Sequence, residues 1–156
     1  MQFEFLFLGK TKESYLAAGI NDFAERISRY AGLQIRVLKD CQWRKGDSPA
    51  KSMEREAAIL QDAISRQTML VALDRQGRQL ASEELAEQIS RWEMNGHSHV
   101  TFVIGGALGL APAILDRAHA VISLSRMTFT HEMTRFILLE QFYRALTINA
   151  GEKYHK

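Results

Sequence analysis

Residues 99–135, HVTFVIGGALGLAPAILDRAHAVISLSRMTFTHEMTR, decide how this chain folds. His99 to Ile104 is a short run dominated by β-branched and aromatic side chains, which reads as a strand. It breaks at Gly105-Gly106. Pro112 suits the first turn of a short helix through Ala118, since its missing N–H has no intrahelical partner there in any case. Ala120 to Leu124 is again a strand, and Thr130 is placed to cap a long helix from His131 to about Asn149. Strand, helix, strand and helix at such short spacing call for parallel pairing, because the intervening helix carries the chain back to the start of the next strand.

The same alternation extends toward the N-terminus. Gln2 to Leu8 reads as a strand stopped by Gly9, and Leu16, Ile20, Phe23 and Ile27 mark one face of a helix over Tyr15 to Tyr30. Leu33, Ile35 and Val37 alternate as a second strand. A polar loop, Asp40 to Ala50, holds Trp43, Arg44, Lys45 and Pro49. Met53, Ala57, Leu60 and Ile64 give a second helix, and Thr68 to Leu73 a nearly continuous apolar strand of the kind a sheet buried on both faces requires. Ser82 is placed to cap a third helix with Glu83 and Glu84 in its first turn, where carboxylates favour the helix dipole; Leu85, Ile89 and Trp92 form its stripe, and Asn95-Gly96 ends it. The expected fold is α/β: a mostly parallel, five- to six-stranded sheet with helices on both faces, in one domain over residues 1–156.

Composition narrows the function classes. The chain has 156 residues, 46% hydrophobic and 24% charged, with a net charge of +2; these values exclude intrinsic disorder. The longest uncharged stretch, Met94 to Leu115, contains His97, His99, four glycines and Pro112, a poor bilayer helix, so no membrane partner is expected. No basic segment precedes an apolar run at Met1, so a cytoplasmic location without a secretory signal is expected. The lone Cys41 rules out an intramolecular disulfide framework and a cysteine-based zinc site, and His97 and His99 lack a third ligand at suitable spacing, so no metal is expected. Two basic segments bracket an acidic middle: residues 1–51 carry nine Lys/Arg against six Asp/Glu, residues 52–115 five against eight, and residues 116–156 six against four. That distribution permits a polyanionic partner without requiring one.

In an open parallel sheet, ligands bind beyond the carboxyl ends of the strands. Three unusual loops fall there: Leu73 to Gly77, Ile104 to Gly109, and Leu124 to His131. Together they predict a small-ligand crevice in which exposed backbone groups do much of the binding. The glycines do not read GxGxxG, and neither GxxxxGK[ST] nor GxSxG is present, which argues against a dinucleotide turn, a Walker-type phosphate cradle and an α/β-hydrolase elbow. The last helix is apolar almost all round, through Met133, Phe136, Ile137, Leu138, Leu139, Phe142, Tyr143, Leu146 and Ile148, which suggests packing against a second copy. Glu140 and Arg144, spaced i, i+4, read as an ion pair. His131 and Arg135 adjoin the third loop, and an arginine there suits phosphate or carboxylate recognition. The tail Gly151 to Lys156 reads either as a frayed end or as a base-stacking and phosphate-contacting segment.

Strand four with Ile104-Gly105-Gly106-Ala107-Leu108-Gly109-Leu110, the segment Ser123 to Arg135, Glu140-Gln141-Phe142-Tyr143-Arg144-Ala145 and the terminal Tyr154-His155-Lys156 together resemble the SPOUT methyltransferases. Within them, the chain looks like the small single-domain 23S rRNA (pseudouridine-N3) methyltransferase H family. The resemblance spans the whole chain and is most specific in its last third. It implies a C-terminal trefoil knot, a homodimer, and S-adenosylmethionine held mostly by backbone at Leu73, Gly105, Leu124, Ser125, Arg126, Met127, Thr128 and Phe129. It implies methylation of N3 of a pseudouridine in 23S rRNA of the large subunit or whole ribosome. For the chemistry, Arg135 is the candidate for phosphate or imide-oxygen contact, and Tyr154 and His155, given by a partner subunit, are candidates to orient the base, with His155 as proton acceptor. Thr130 stands where the family usually has proline, and Lys153 fits the looser form of its terminal motif. A non-catalytic ribosome-binding protein and a methyltransferase acting on tRNA are the competing readings.

Overall fold

The structure, a computed structural model, describes residues 1–41 and 44–155, the last by its backbone alone. Ten elements alternate along the chain: β1 (Gln2–Leu8), α1 (Ser14–Ile27), β2 (Gly32–Leu38), α2 (Pro49–Ala63), β3 (Met69–Gln79), α3 (Ser82–Met94), β4 (His99–Ile104), α4 (Pro112–Arg117), β5 (Ala120–Ser123) and α5 (His131–Asn149), followed by a single 3-10 turn at Lys153–His155. The five strands form one sheet in the order β2-β1-β4-β3-β5, with every pair parallel. Among the described residues no helix is long and apolar enough to cross a membrane.

Strand periodicity divides the core between two faces. Phe3, Phe5 and Phe7 of β1, Met69 and Val71 of β3, and Val100 and Phe102 of β4 point to one side, against α1, α3 and α5. Leu6, Leu8, Leu70, Ala72 and Val103 point to the other, against α2 and α4. The first face is aromatic: Phe142 of α5 sits with its ring 4.6 Å from Phe3, 5.3 Å from Phe5 and 5.6 Å from Phe102. Phe5 and Phe102, paired in register across β1 and β4, stack at 4.8 Å. On the far side of the sheet, His119 locks β5 to β3 by accepting Leu70 N–H at 2.9 Å while its own N–H reaches Leu70 O at 2.8 Å.

Local signals account for most helix starts. Ser48 Oγ accepts from Lys51 N at 3.2 Å ahead of Pro49, and Thr130 Oγ1 accepts from Met133 N at 3.2 Å. Two expectations change. Ala81, not Ser82, is the residue that caps α3; Glu84 reaches back to Ala81 N at 2.7 Å, while Ser82 is helical and its hydroxyl bonds Gln141 Oε1 at 2.6 Å. β3 does not stop at Leu73: it runs on to Gln79 through a register shift in which Leu73 and Arg78 both oppose Ile122, because Asp74 Oδ1 accepts Gln76 N–H at 2.8 Å and turns the chain locally. The last helix, α5, also packs extensively within its own chain. It lies between α1 and α3, and every residue from His131 to Ile148 is at least partly covered within one chain.

Phe142 is fully buried at the meeting point of three other rings. Phe142→Ala is expected to lower the unfolding free energy by about 3–5 kcal/mol in urea denaturation, the usual cost of removing a buried aromatic from a core that cannot collapse around the void.

Candidate active site

Beyond the carboxyl ends of β4 and β5, beside the register shift of β3 at Leu73–Arg75, lies a cavity of about 860 Å³, within the size range of cofactor sites. Its floor is the turn after β4, its side the segment 122–130, and its end the first turn of α5, which contributes His131 and Thr134. The turn is tight: Gly109 N donates to Gly106 O at 3.1 Å. Two glycines are dictated by contact. A Cβ on Gly105 would lie 2.5 Å from the carbonyl carbon of Gly109, and one on Gly106 would lie 2.6 Å from Glu56 Oε1. Gly105 meets main chain that cannot yield, whereas the contact at Gly106 is with the end of the buried Glu56 side chain.

Glu56 comes from α2, beneath the turn, and is 9% exposed. Burial pushes its carboxyl pKa up, the neighbouring Asp40 charge adds to the rise, and a bond from the Gly106 N–H opposes it. Its Oε2 has no partner among the described residues. The turn is therefore held from below by a carboxylate that accepts one of its backbone donors.

The segment after β5 is stitched by hydroxyls. Ser123 Oγ donates to Ser125 O at 2.9 Å, Ser125 Oγ accepts Met127 N–H at 3.0 Å, and Thr134 Oγ1 donates to Thr130 O at 3.0 Å. Thr130 fixes the helix start by hydrogen bonding, where the family's proline would do so through a fixed φ. Leu108, Met127 and Phe129 leave apolar surface at the mouth, Met127 being 74% exposed.

The structure brings together most of the residues singled out for ligand binding: Leu73, Gly105, Leu124, Ser125, Met127, Thr128 and Phe129 all line the cavity. Arg126 is exposed but not among the lining residues. Arg135 differs more. It is 1% exposed, donates to Leu8 O at 2.5 Å and to Thr11 Oγ1 at 3.0 Å, and lies 4.9 Å over the Phe7 ring. Its guanidinium is consumed by its own chain and is not presented to a phosphate or an imide oxygen. The cause is position: on α5, Arg135 lies one turn in from His131, on the face that packs against the end of β1.

Tyr154 is also away from the cavity. Its hydroxyl donates to Glu140 Oε1 at 3.3 Å, its ring meets Tyr143 edge-on at 4.7 Å, and Arg144 lies 5.0 Å over it. Glu140 and Arg144 form the expected ion pair, at 2.6 Å. Glu140 lies nine residues along α5 from His131, so Tyr154 docks roughly 14 Å along the helix from the cavity at 1.5 Å per residue. The side chain of His155, and all of Trp43 and Lys156, fall outside the described residues.

Two functional groups were not legible as such. Glu56 occupies the apolar stripe of α2 with Met53, Ala57 and Leu60, and a carboxylate on a buried stripe is the signal that could have found it. Glu132 accepts Lys12 N–H at 2.8 Å and Glu13 N–H at 3.1 Å from the loop after β1, and these bonds hold its pKa below the usual glutamate range.

The chain is similar to known proteins over its whole length. A family model described as "Predicted SPOUT methyltransferase" matches residues 1–155. A protein of Desulfotalea psychrophila named "Ribosomal RNA large subunit methyltransferase H" is 46% identical over 157 residues, and one of the same name from Symbiobacterium thermophilum is 44% identical over 161 residues; both alignments cover 100% of each chain. Among solved structures, "Crystal Structure of Probable Methyltransferase from Bordetella pertussis Tohama I" aligns with a TM-score of 0.56 at 13% identity, over 93% of this chain and 96% of that one. At that identity the likeness speaks for the fold alone.

His131 lines the cavity with its pKa depressed, first by burial and next by Arg135, with Glu132 and Asp40 pulling the other way. Its ring is expected to titrate below the ordinary histidine value of 6.5 when followed by NMR. Between that lowered pKa and 6.5 the folded state holds fewer protons than the unfolded one, so the contribution of His131 to stability grows as pH rises through the window and is complete above it.

Proposed function

The chain belongs to the SPOUT methyltransferase family, and from that premise we propose that it transfers the methyl group of S-adenosylmethionine to N3 of a pseudouridine in the 23S RNA of the large ribosomal subunit. The observation that carries this reading is the cavity itself: a backbone-lined crevice at the carboxyl edge, built from Gly105–Gly109 and residues 122–130, in a chain that matches ribosomal RNA methyltransferases end to end.

The residues present fit this cofactor. The donor is a long molecule with an adenine, a ribose and an amino-acid end, and it asks for a crevice with both apolar walls and free main-chain groups. Leu73, Leu124 and Phe129 would supply apolar wall; Gly105 and the backbone of Leu124 through Thr128 would supply donors and acceptors. Bound there, S-adenosylmethionine provides an electrophilic methyl carbon on a sulfonium.

The acceptor nitrogen of the base carries an imide proton, which must leave as the new C–N bond forms. His131 stands at the cavity as a neutral imidazole able to accept a proton. Burial and Arg135 lower its pKa, which disfavours the protonated ring, and it joins His155 as a candidate base. Tyr154 docks on its own α5, away from its own cavity, so a tail that orients the base would have to act in a second copy of the chain. A homodimer is therefore part of the proposal, as is the trefoil knot that the family resemblance implies. Holding nucleophile and methyl carbon in line supplies much of the remaining rate enhancement.

The test is transfer of labelled methyl from S-adenosylmethionine to large subunits and ribosomes lacking the modification, with free 23S rRNA and tRNA alongside. Label in 23S rRNA that maps to a pseudouridine N3 is the expected result; a folded protein that binds the cofactor and labels none of these overturns it in favour of a non-catalytic ribosome-binding role, and label in tRNA in favour of a different substrate. Gly105→Ala is expected to weaken S-adenosylmethionine binding at least tenfold by calorimetry, since the new methyl would clash with the Gly109 main chain and displace the turn.

A further inference from the structure

The loop between β1 and α1, Gly9-Lys10-Thr11-Lys12-Glu13, is short, polar and exposed at both lysines, and loops of that kind are ordinarily mobile. This one is held by four hydrogen bonds from a single turn of α5. Glu132 accepts the Lys12 and Glu13 N–H groups, and Arg135 donates to Leu8 O and Thr11 Oγ1. Burying a guanidinium to do so carries a desolvation cost, and its Nε is left without a partner among the described residues. Glu132 and Arg135 also sit in the first two turns of α5 after Thr130, where the cavity segment ends. The latch thus fixes the loop relative to the cavity.

What it presents is cationic and aromatic. Lys10 and Lys12 make no ion pair among the described residues, whereas Arg26, Arg29, Arg36, Arg55, Arg78, Arg91 and Arg144 all do. Tyr15 follows at the start of α1, 65% exposed. Because β1 pairs with β4, the loop emerges beside the glycine turn. The surrounding charge has the same sign. The loops after β1, β2 and β5, residues 9–13, 39–47 and 124–130, together with residues 74–77 at the register shift of β3, carry seven Lys/Arg against four Asp/Glu, leaving thirteen against fourteen for the rest of the chain. All of the positive excess lies along the edge that holds the cavity.

We propose that this latched loop grips the phosphate backbone of the RNA substrate beside the cavity through Lys10 and Lys12, with Tyr15 as a stacking surface, and that Glu132 and Arg135 are positioning residues acting through it. The inference rests on the reading that the substrate is ribosomal RNA. A chain of net charge +2 gains little affinity from its overall charge, so fixed local contacts matter more to it than to a strongly basic protein.

The test compares wild type with the double variant Lys10→Ala/Lys12→Ala in binding to unmodified large subunits across a salt series, with methyl-transfer kinetics and S-adenosylmethionine affinity measured in parallel. Loss of two phosphate contacts is expected to lower the slope of log affinity against log salt by roughly 1.4–1.8, raise KM for subunits about tenfold, and leave kcat and cofactor affinity within twofold. Arg66→Ala, an exposed arginine preceding β3 at the other end of the sheet, is expected to change none of these. Glu132→Ala should reproduce the KM increase at unchanged kcat; a fall in Tm with unaltered KM would overturn its positioning role. Equal affinity and salt slope for wild type and the double variant overturn the grip even if methyl transfer is confirmed. Loss of binding in the double variant, with no methyl transfer even from wild type, upholds the grip and overturns the catalytic reading instead.

Discussion

A five-stranded parallel sheet whose inner strands β1, β4 and β3 are buried on both faces imposes one constraint from which the rest of this molecule follows. Every strand enters at the same edge and leaves at the other, so every helix must carry the chain back, and every loop that follows a strand opens on one side. The apolar alternation in β1, β3 and β4 is the price of that burial, and it leaves polar, glycine-containing segments with nowhere to go but the carboxyl edge. There, three of them enclose the cavity. The site is thus a consequence of sheet direction before it is a matter of particular side chains.

Two carboxylates and one guanidinium fix loops at this edge of the sheet. Glu56 supports the glycine turn from below, Glu132 holds the loop after β1, and Arg135 ties the end of β1 to the start of α5. Their pKa values move in opposite directions for a physical reason. Glu132 accepts two backbone N–H groups and is stabilised as an anion, whereas Glu56 is dominated by burial and by the Asp40 charge. His131, beside Arg135 and partly buried, is held neutral by the same environment. A cavity bordered by a neutral imidazole and by main-chain dipoles suits a reaction in which a proton departs from a nucleophile that has no strong negative charge of its own.

Much of this was legible in the sequence. All ten main elements follow from periodicity and turn residues, and the loops after β4 and β5 were identified from glycines, serines and their position after strands, whereas Leu73 to Gly77 lies inside β3. What escaped was long-range. Nothing near Arg135 in sequence reveals that Leu8 and Thr11, more than 120 positions away, take up its hydrogen bonds, so an arginine next to a binding loop reads as a ligand contact when it is a tie between elements. The apolar circumference of α5 likewise does not reveal that α1 and α3 are its neighbours within the chain. The continuation of β3 past Leu73 depends on pairing with β5, which no local pattern reports.

The central claim is that the carboxyl-edge cavity, and no other surface, holds S-adenosylmethionine. Backbone amide chemical-shift mapping on the full chain during titration with S-adenosylmethionine tests it most directly. The account predicts saturable shifts concentrated at Leu73, at residues 105–109 and at residues 124–131. Saturable shifts centred on another face, or no shifts at millimolar cofactor in a folded protein, would contradict it.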